Sequence, residues 1–394
     1  MKYIKAITSK SDAHRALICA ALSENKCEVI MNTTSNDIEA TKICLKNIMC
    51  GKKELYCGES GSTFRFLIPV AAALGMEAHF YPEGRLPERP LSPLYEELQK
   101  HGCILSAQGS VPFIVKGKLE PGTYEIPGNV SSQFISGLLF ALPLLEGDSV
   151  IKVSGNIQSE DYIKMTIDTM KKFGVNIKRT DYGYKIKGSQ KYISPEIYNV
   201  EGDWSNAAFF LTAGAFVEEG VTVSGLNIDS VQGDKKIVDI LKEFGAEVKI
   251  EDNSVTVRPG NLKGIDIDAS QIPDMVPALS ILAVRAFGKT NIYNAGRLRI
   301  KESDRLKTIR ETIKNLGGDI VELSDGLIIN GTGTLDGGTV SSNNDHRIAM
   351  MASIASLICE NKVFIKEADA VNKSYPDFFK HMHMIELDKN LERD

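Results

Sequence analysis

No apolar run in this 394-residue chain reaches the roughly 18 residues that a bilayer-crossing helix needs. The opening residues, MKYIKAI, carry no secretory h-region. A membrane protein is therefore not expected, and a cytoplasmic setting is. Positive charge is not in excess either. Lys and Arg number 46 against 51 Asp and Glu, a net charge of −5, which argues against a nucleic-acid partner. The seven cysteines are odd in number and form no C-x-x-C pair, so neither a disulfide frame nor a zinc site is expected. There is no Walker A segment, no G-x-G-x-x-G, no G-x-S-x-G and no His/Cys metal pattern, so no cofactor or metal is expected. What remains is a composition that is 43% hydrophobic and 25% charged, suited to a globular chain of two or three domain equivalents.

That chain repeats itself. Four helical patterns end on a glycine, at Gly102, Gly174, Gly245 and Gly317, about 70 residues apart, and each leads into a short strand. A second element runs in step: a polar cluster that opens a small-residue apolar helix followed by a strand. Its copies begin near Lys10, Ser60, Ser131, Asp203, Pro273 and Asn344. These helices are apolar nearly all round, which predicts burial. Six units of this size suit neither a solenoid nor a propeller. They predict two similar α/β domains, each a ring of three units around buried helices. The expected division is 9–200 for the first domain, whose first unit is shortened, and 1–8 with 201–394 for the second.

The repeat also gathers charge. The segment RIKESDR at 299–305 opens an amphipathic helix, with Leu306, Ile309, Ile313 and Leu316 at helical spacing and Ser303 as expected N-cap. Arg299, Lys301 and Arg305 then lie at the end of a helix where cations are disfavoured, a placement that a bound anion would reverse. Lys10, Arg15, Arg65 and Arg347 stand in the same register at other helix starts. Such a set suits substrates with several phosphate and carboxylate groups, held in an interdomain cleft. Ser11, Ser131, Ser132 and Gln133 add hydroxyl and amide donors, and Arg89 and Lys373 lie in loops. Two carboxylates, Asp274 and Glu302, are candidates for proton transfer in these surroundings. A helix cap and a surface ion pair, respectively, are their ordinary readings.

At these motifs the chain resembles the 5-enolpyruvylshikimate-3-phosphate synthase family over nearly its full length. The residues that carry the resemblance are KSDAHR at 10–15, GSTFR at 61–65, Arg89-Pro90, SSQF at 131–134 and SEDY at 159–162. EGDW at 201–204, IPD at 272–274, RIKESDR at 299–305, NDHR at 344–347 and KSYPD at 373–377 complete the set. The resemblance implies an inside-out α/β barrel of two domains, each three copies of a βαβαββ unit. It also implies transfer of the enolpyruvyl group of phosphoenolpyruvate to the 5-hydroxyl of shikimate 3-phosphate by a monomer. By matched position it assigns Ser11, Arg15, Ser131, Ser132, Ser159, Asp274 and Lys301 to shikimate 3-phosphate. Lys10, Gly61, Arg89, Gln133, Arg305, Arg347 and Lys373 go to phosphoenolpyruvate. Asp274, Glu302 and Lys10 are the implied catalytic groups.

The chain departs from the family pattern at Ile7-Thr8-Ser9, where Pro-Gly is usual, and at Glu59 and Arg297, where asparagine is frequent. Ser62 follows Gly61 where threonine is common. Two rival readings are a transferase acting on UDP-N-acetylglucosamine and an inactive anion-binding paralogue. The first characteristically carries a cysteine before the Arg-Pro, and residues 81–89 contain none. The second is opposed by retention of Asp274, Lys301, Glu302 and the arginines.

Overall fold

A computed structural model describes residues 2–394. The chain divides into two compact units, one continuous over Ser9–Val200 and one formed by the residues up to Thr8 together with Glu201–Asp394. Each has its own apolar core.

The repeating unit is plain in the continuous half. Strand Glu54–Gly58, helix Gly61–Ala73, strand Ala78–Pro82 and helix Leu94–Lys100 lead to the hairpin Ile104–Leu105 and Phe113–Lys116. The first two strands pair in parallel across the buried helix, and the remaining pairs are antiparallel. The same order recurs from Thr123 to Ile186 and from Asp266 to Gly331. This is the expected α/β fold of repeated βαβαββ units.

In two units the opening strand comes from elsewhere in the chain. Lys2–Lys5 pairs in parallel with Val221–Ser224 and completes the four-stranded sheet that holds Glu247–Glu251 and Ser254–Arg258. Ile197–Asn199 pairs in parallel with Glu28–Ile30, which makes the shortened first unit a two-stranded sheet. The last unit ends differently again, with Gly338–Ser341, Val363–Lys366 and Leu391–Arg393 all parallel.

The four recurring glycines take positive φ, between 78° and 101°, where a side chain would be strained. Two helices of the second family are buried throughout, with every residue of Trp204–Gly214 and of His346–Ala355 buried. A helix buried on all sides leaves only its ends for polar chemistry, and its first turn needs partners for free N–H groups. Ser9, Ser60, Ser131, Asp203 and Asp345 supply them by side-chain capping. The capped ends are also where the candidate functional residues fall.

Candidate active site

In the discontinuous unit three helix starts and one turn bring the charged groups together. Asp274 lies on the single turn Pro273–Met275 ahead of helix Val276–Arg285. Its Oδ1 accepts from Arg305 Nη1 at 2.8 Å and lies 3.4 Å from Lys301 Nζ, while Oδ2 lies 3.4 Å from Arg347 Nη2. Arg347 Nη1 also donates to the Asp274 backbone carbonyl at 3.0 Å. Burial by itself raises the carboxyl pKa, but Arg347, Lys301 and Arg305 outweigh it and hold the group well below the usual carboxylate range. The magnitudes agree, since each close cation is worth on the order of 4 kcal/mol at an effective dielectric near 20. Lys301 moves the other way. Burial lowers its ammonium to about 8, with Asp274 and Glu302 opposing and Arg305 and Arg297 adding to the fall.

Arg305 is the hub. Its side chain is 1% exposed and its donors meet three carboxylates. Nε donates to Asp345 Oδ2 at 2.8 Å and Nη2 to Asp345 Oδ1 at 3.2 Å. Nη1 reaches Asp274, and Nη2 also reaches Glu302 Oε2 at 2.8 Å. Asp345, fully buried, further accepts from Ser303 Oγ at 3.0 Å and caps helix His346–Ala355 through the Arg347 N–H. A single carboxylate thus fixes the starts of two helices. Arg347 Nη2 donates to Ser205 Oγ at 3.1 Å, which ties in the first turn of a third. Lys373 ends the turn Ala368–Lys373 and donates to the Asn344 carbonyl at 2.5 Å.

The continuous unit carries three smaller constellations. Lys10 Nζ lies 2.7 Å from Asp37 Oδ2 at the start of helix Lys10–Leu22. Arg15 is buried one turn on, and donates to Thr166 Oγ1, to the Ser11 carbonyl and to the Tyr162 carbonyl. Burial lowers its guanidinium to about 10, with Asp12 and neighbouring tyrosines opposing. Arg89 packs its guanidinium on the Gly61 backbone so closely that a Cβ there would meet Nη1 at 3.0 Å. Gln133, at the start of helix Ser132–Ala141, lies between Arg65 and Ser62. Ser131 caps that helix and Ser132 is buried beside it. Ser159 precedes helix Glu160–Lys172 in left-handed backbone, at φ 55°.

Two sequence expectations change. The N-cap of helix Arg305–Asn315 is Asp304, whose side chain accepts from the Lys307 N–H, and not Ser303. Both residue types cap well; Ser303 is taken by Asp345 and Thr308 instead. Arg299 stays outside the cluster and is held by Asp304, Glu322 and two backbone carbonyls, an ordinary local network. Sequence reasoning gave no part to Asp345, Asp37 or Ser205. Asp345 had a signal: a carboxylate between an asparagine and a basic pair at the start of an apolar helix. Of the departures, Glu59 places its carboxylate against Gly84, in the loop before Arg85.

The family model of EPSP synthase (3-phosphoshikimate 1-carboxyvinyltransferase) matches residues 48–382. The 3-phosphoshikimate 1-carboxyvinyltransferase of Clostridium kluyveri is 44% identical, over 95% of this chain and 93% of its own. That of Clostridioides difficile is 41% identical, over 97% and 94%. Among solved structures, EPSP synthase from Acinetobacter baumannii superposes with a TM-score of 0.81 at 25% identity, covering 97% of this chain and 94% of that one. The enolpyruvyl transferase NikO of Streptomyces tendae shares the fold, with a TM-score of 0.76 at 15% identity, over 98% and 94%. With most of its length matched by the family model and such relatives along nearly all of it, the chain belongs to the EPSP synthase family.

Proposed function

We propose that this chain transfers the enolpyruvyl group of phosphoenolpyruvate to the 5-hydroxyl of shikimate 3-phosphate, with release of phosphate, on the way to chorismate and the aromatic amino acids. The observation that carries the reading is Asp274, an ionised carboxylate enclosed by Lys301, Arg305 and Arg347. In this reading Asp274 takes the 5-hydroxyl proton as the oxygen bonds to C2 of phosphoenolpyruvate, and Glu302 protonates the C3 methylene. The tetrahedral intermediate then loses phosphate. A C3 proton returns to Glu302, the double bond reforms, and the proton on Asp274 leaves with the phosphate, where Lys10 balances charge. Ser11, Arg15, Ser131, Ser132, Ser159 and Lys301 hold shikimate 3-phosphate. Gly61, Arg89, Gln133, Arg305, Arg347 and Lys373 hold phosphoenolpyruvate.

The resting electrostatics bear on the order of events. Three cations make Asp274 a poor base. Two anionic substrates that engage those cations would restore its basicity, so proton removal waits for both. Arg305 meets an anion by giving up a carboxylate, and Asp274 and Glu302 are the two on its accessible side. The reading also carries a monomeric state, which light scattering checks. The test of the activity is phosphate release from purified protein given both substrates. Release that depends on both supports it, and none with either acceptor, shikimate 3-phosphate or UDP-N-acetylglucosamine, would remove it.

Two expected results arise here. Lys301 must be charged to hold an anion, and its folded pKa is about 8. Hence kcat/KM should fall as pH rises through about 8, and Lys301→Arg, charged at every working pH, should move that limb upward. The sign for stability is opposite: between that value and the ordinary lysine range the unfolded chain binds the extra proton, so this group makes the fold more stable as pH rises. A pH–rate profile of both proteins checks the first. Gly61→Ala sets a methyl against the Arg89 guanidinium, the movable end of a flexible side chain. The KM for phosphoenolpyruvate should rise about tenfold while the unfolding midpoint holds, since small misplacements of a binding group cost rate rather than stability.

A further inference from the structure

Arg65 is buried one turn into helix Gly61–Ala73, and the proposed function gives it no contact with either substrate. Its guanidinium nevertheless joins two separate pieces of chain. Nη1 donates to Gln133 Oε1 at 2.8 Å, and Nη2 donates to the Pro90 carbonyl at 3.1 Å. The group also lies 5.5 Å from the ring centroid of Phe134. A guanidinium has donors only, so the glutamine amide that faces it must present its carbonyl oxygen. The NH2 of Gln133 is thereby turned the other way, and it donates to Ser62 Oγ at 3.0 Å. Without Arg65 the amide could present either end. Through Pro90 the same group holds the residue that follows Arg89, whose guanidinium rests on the Gly61 backbone.

We infer that Arg65 is a positioning residue for phosphoenolpyruvate, fixing the donor face of Gln133 and the Arg89–Pro90 segment in one arrangement without touching the substrate. This rests on the proposed function, in which Gln133 and Arg89 hold that substrate. Charge alone does not satisfy the requirement. A lysine in place of Arg65 has one ammonium for two acceptors that the planar fork serves together.

The test is steady-state kinetics on Arg65→Met, Arg65→Lys, Gln133→Ala, Arg89→Ala and the Arg65→Met/Gln133→Ala double variant, each with its thermal midpoint. Arg65→Met should raise the KM for phosphoenolpyruvate on the order of tenfold, with the KM for shikimate 3-phosphate and kcat changed by less than about threefold. Arg65→Lys should fall between it and the parent. The double variant should lose less than the sum of the two single losses, because part of what Arg65 does passes through that amide. A lowered midpoint with an unchanged KM for phosphoenolpyruvate would make Arg65 structural only and overturn the inference. So would additive effects in the double variant. If Arg65→Met does not fold, Arg65→Lys decides, and a parental KM in that protein overturns it. If Gln133→Ala and Arg89→Ala both leave the KM for phosphoenolpyruvate unchanged, the functional reading itself fails and takes the inference with it.

Discussion

Asp274→Ala should remain folded and release phosphate about a hundredfold to ten-thousandfold more slowly, the range that a lost general base commands. Folding survives because the side chain is 18% exposed, so water reaches the place it leaves, and because Arg305 keeps both of its contacts to Asp345. Asp274→Asn is the sharper variant. It keeps the shape and one acceptor but cannot take a proton, and it sets an NH2 among three cations. Its rate should be as low as that of alanine, with a KM for shikimate 3-phosphate closer to the parent. Single-turnover phosphate release with both substrates saturating measures the chemical step directly. A rate within about threefold of the parent in both variants would move the base elsewhere, with Glu302 the remaining carboxylate on the accessible side of Arg305.

Asp345→Ala should instead act on stability. The pair is buried on both sides, with Asp345 fully inaccessible and Arg305 1% exposed. Removing one partner of a buried ion pair typically costs about 3–5 kcal/mol, because the other charge is left without its counterpart. Here the loss of a cap on helix His346–Ala355 adds to it. For a unit near 200 residues this corresponds to a fall of roughly 10 °C in the unfolding midpoint. Asp345→Asn should lose less, since it retains the shape and an acceptor. Urea unfolding gives the free energy. A change under about 1 kcal/mol in the alanine variant would mean that Asp274 and Glu302 satisfy Arg305 without help.

Much of this was legible in the chain because the signals were local. A glycine that ends a helix in left-handed backbone and a small polar residue that caps the next are chemical requirements of single positions. Their recurrence betrays the repeat before any packing is known. The candidate cations were legible for the same reason, as charges at helix starts. Three things were not. Which of Ser303 and Asp304 caps the helix depends on Asp345, 42 residues from Ser303 in sequence. The importance of Asp345 depends on Arg305 arriving beside it. The role of Arg65 depends on Gln133, 68 residues away. Each is a pairing between distant segments, and no pattern within one segment encodes it. Strand provenance is another such case, because nothing in Ile197–Asn199 says that it belongs beside Glu28–Ile30.

That provenance makes the two halves unequal during synthesis. By the time Asn199 has been made, the continuous unit possesses every strand of its three sheets. The other unit begins with Lys2–Lys5 and must keep that strand unpartnered until Val221–Ser224 exists. Until then the ribosome carries a short strand with nothing to pair with, with Lys2 and Lys5 beside Tyr3 and Ile4. Charge of that kind discourages an unpaired strand edge from joining another chain. That strand precedes the rest of its unit along the chain and waits for its partner through the synthesis of the whole continuous unit.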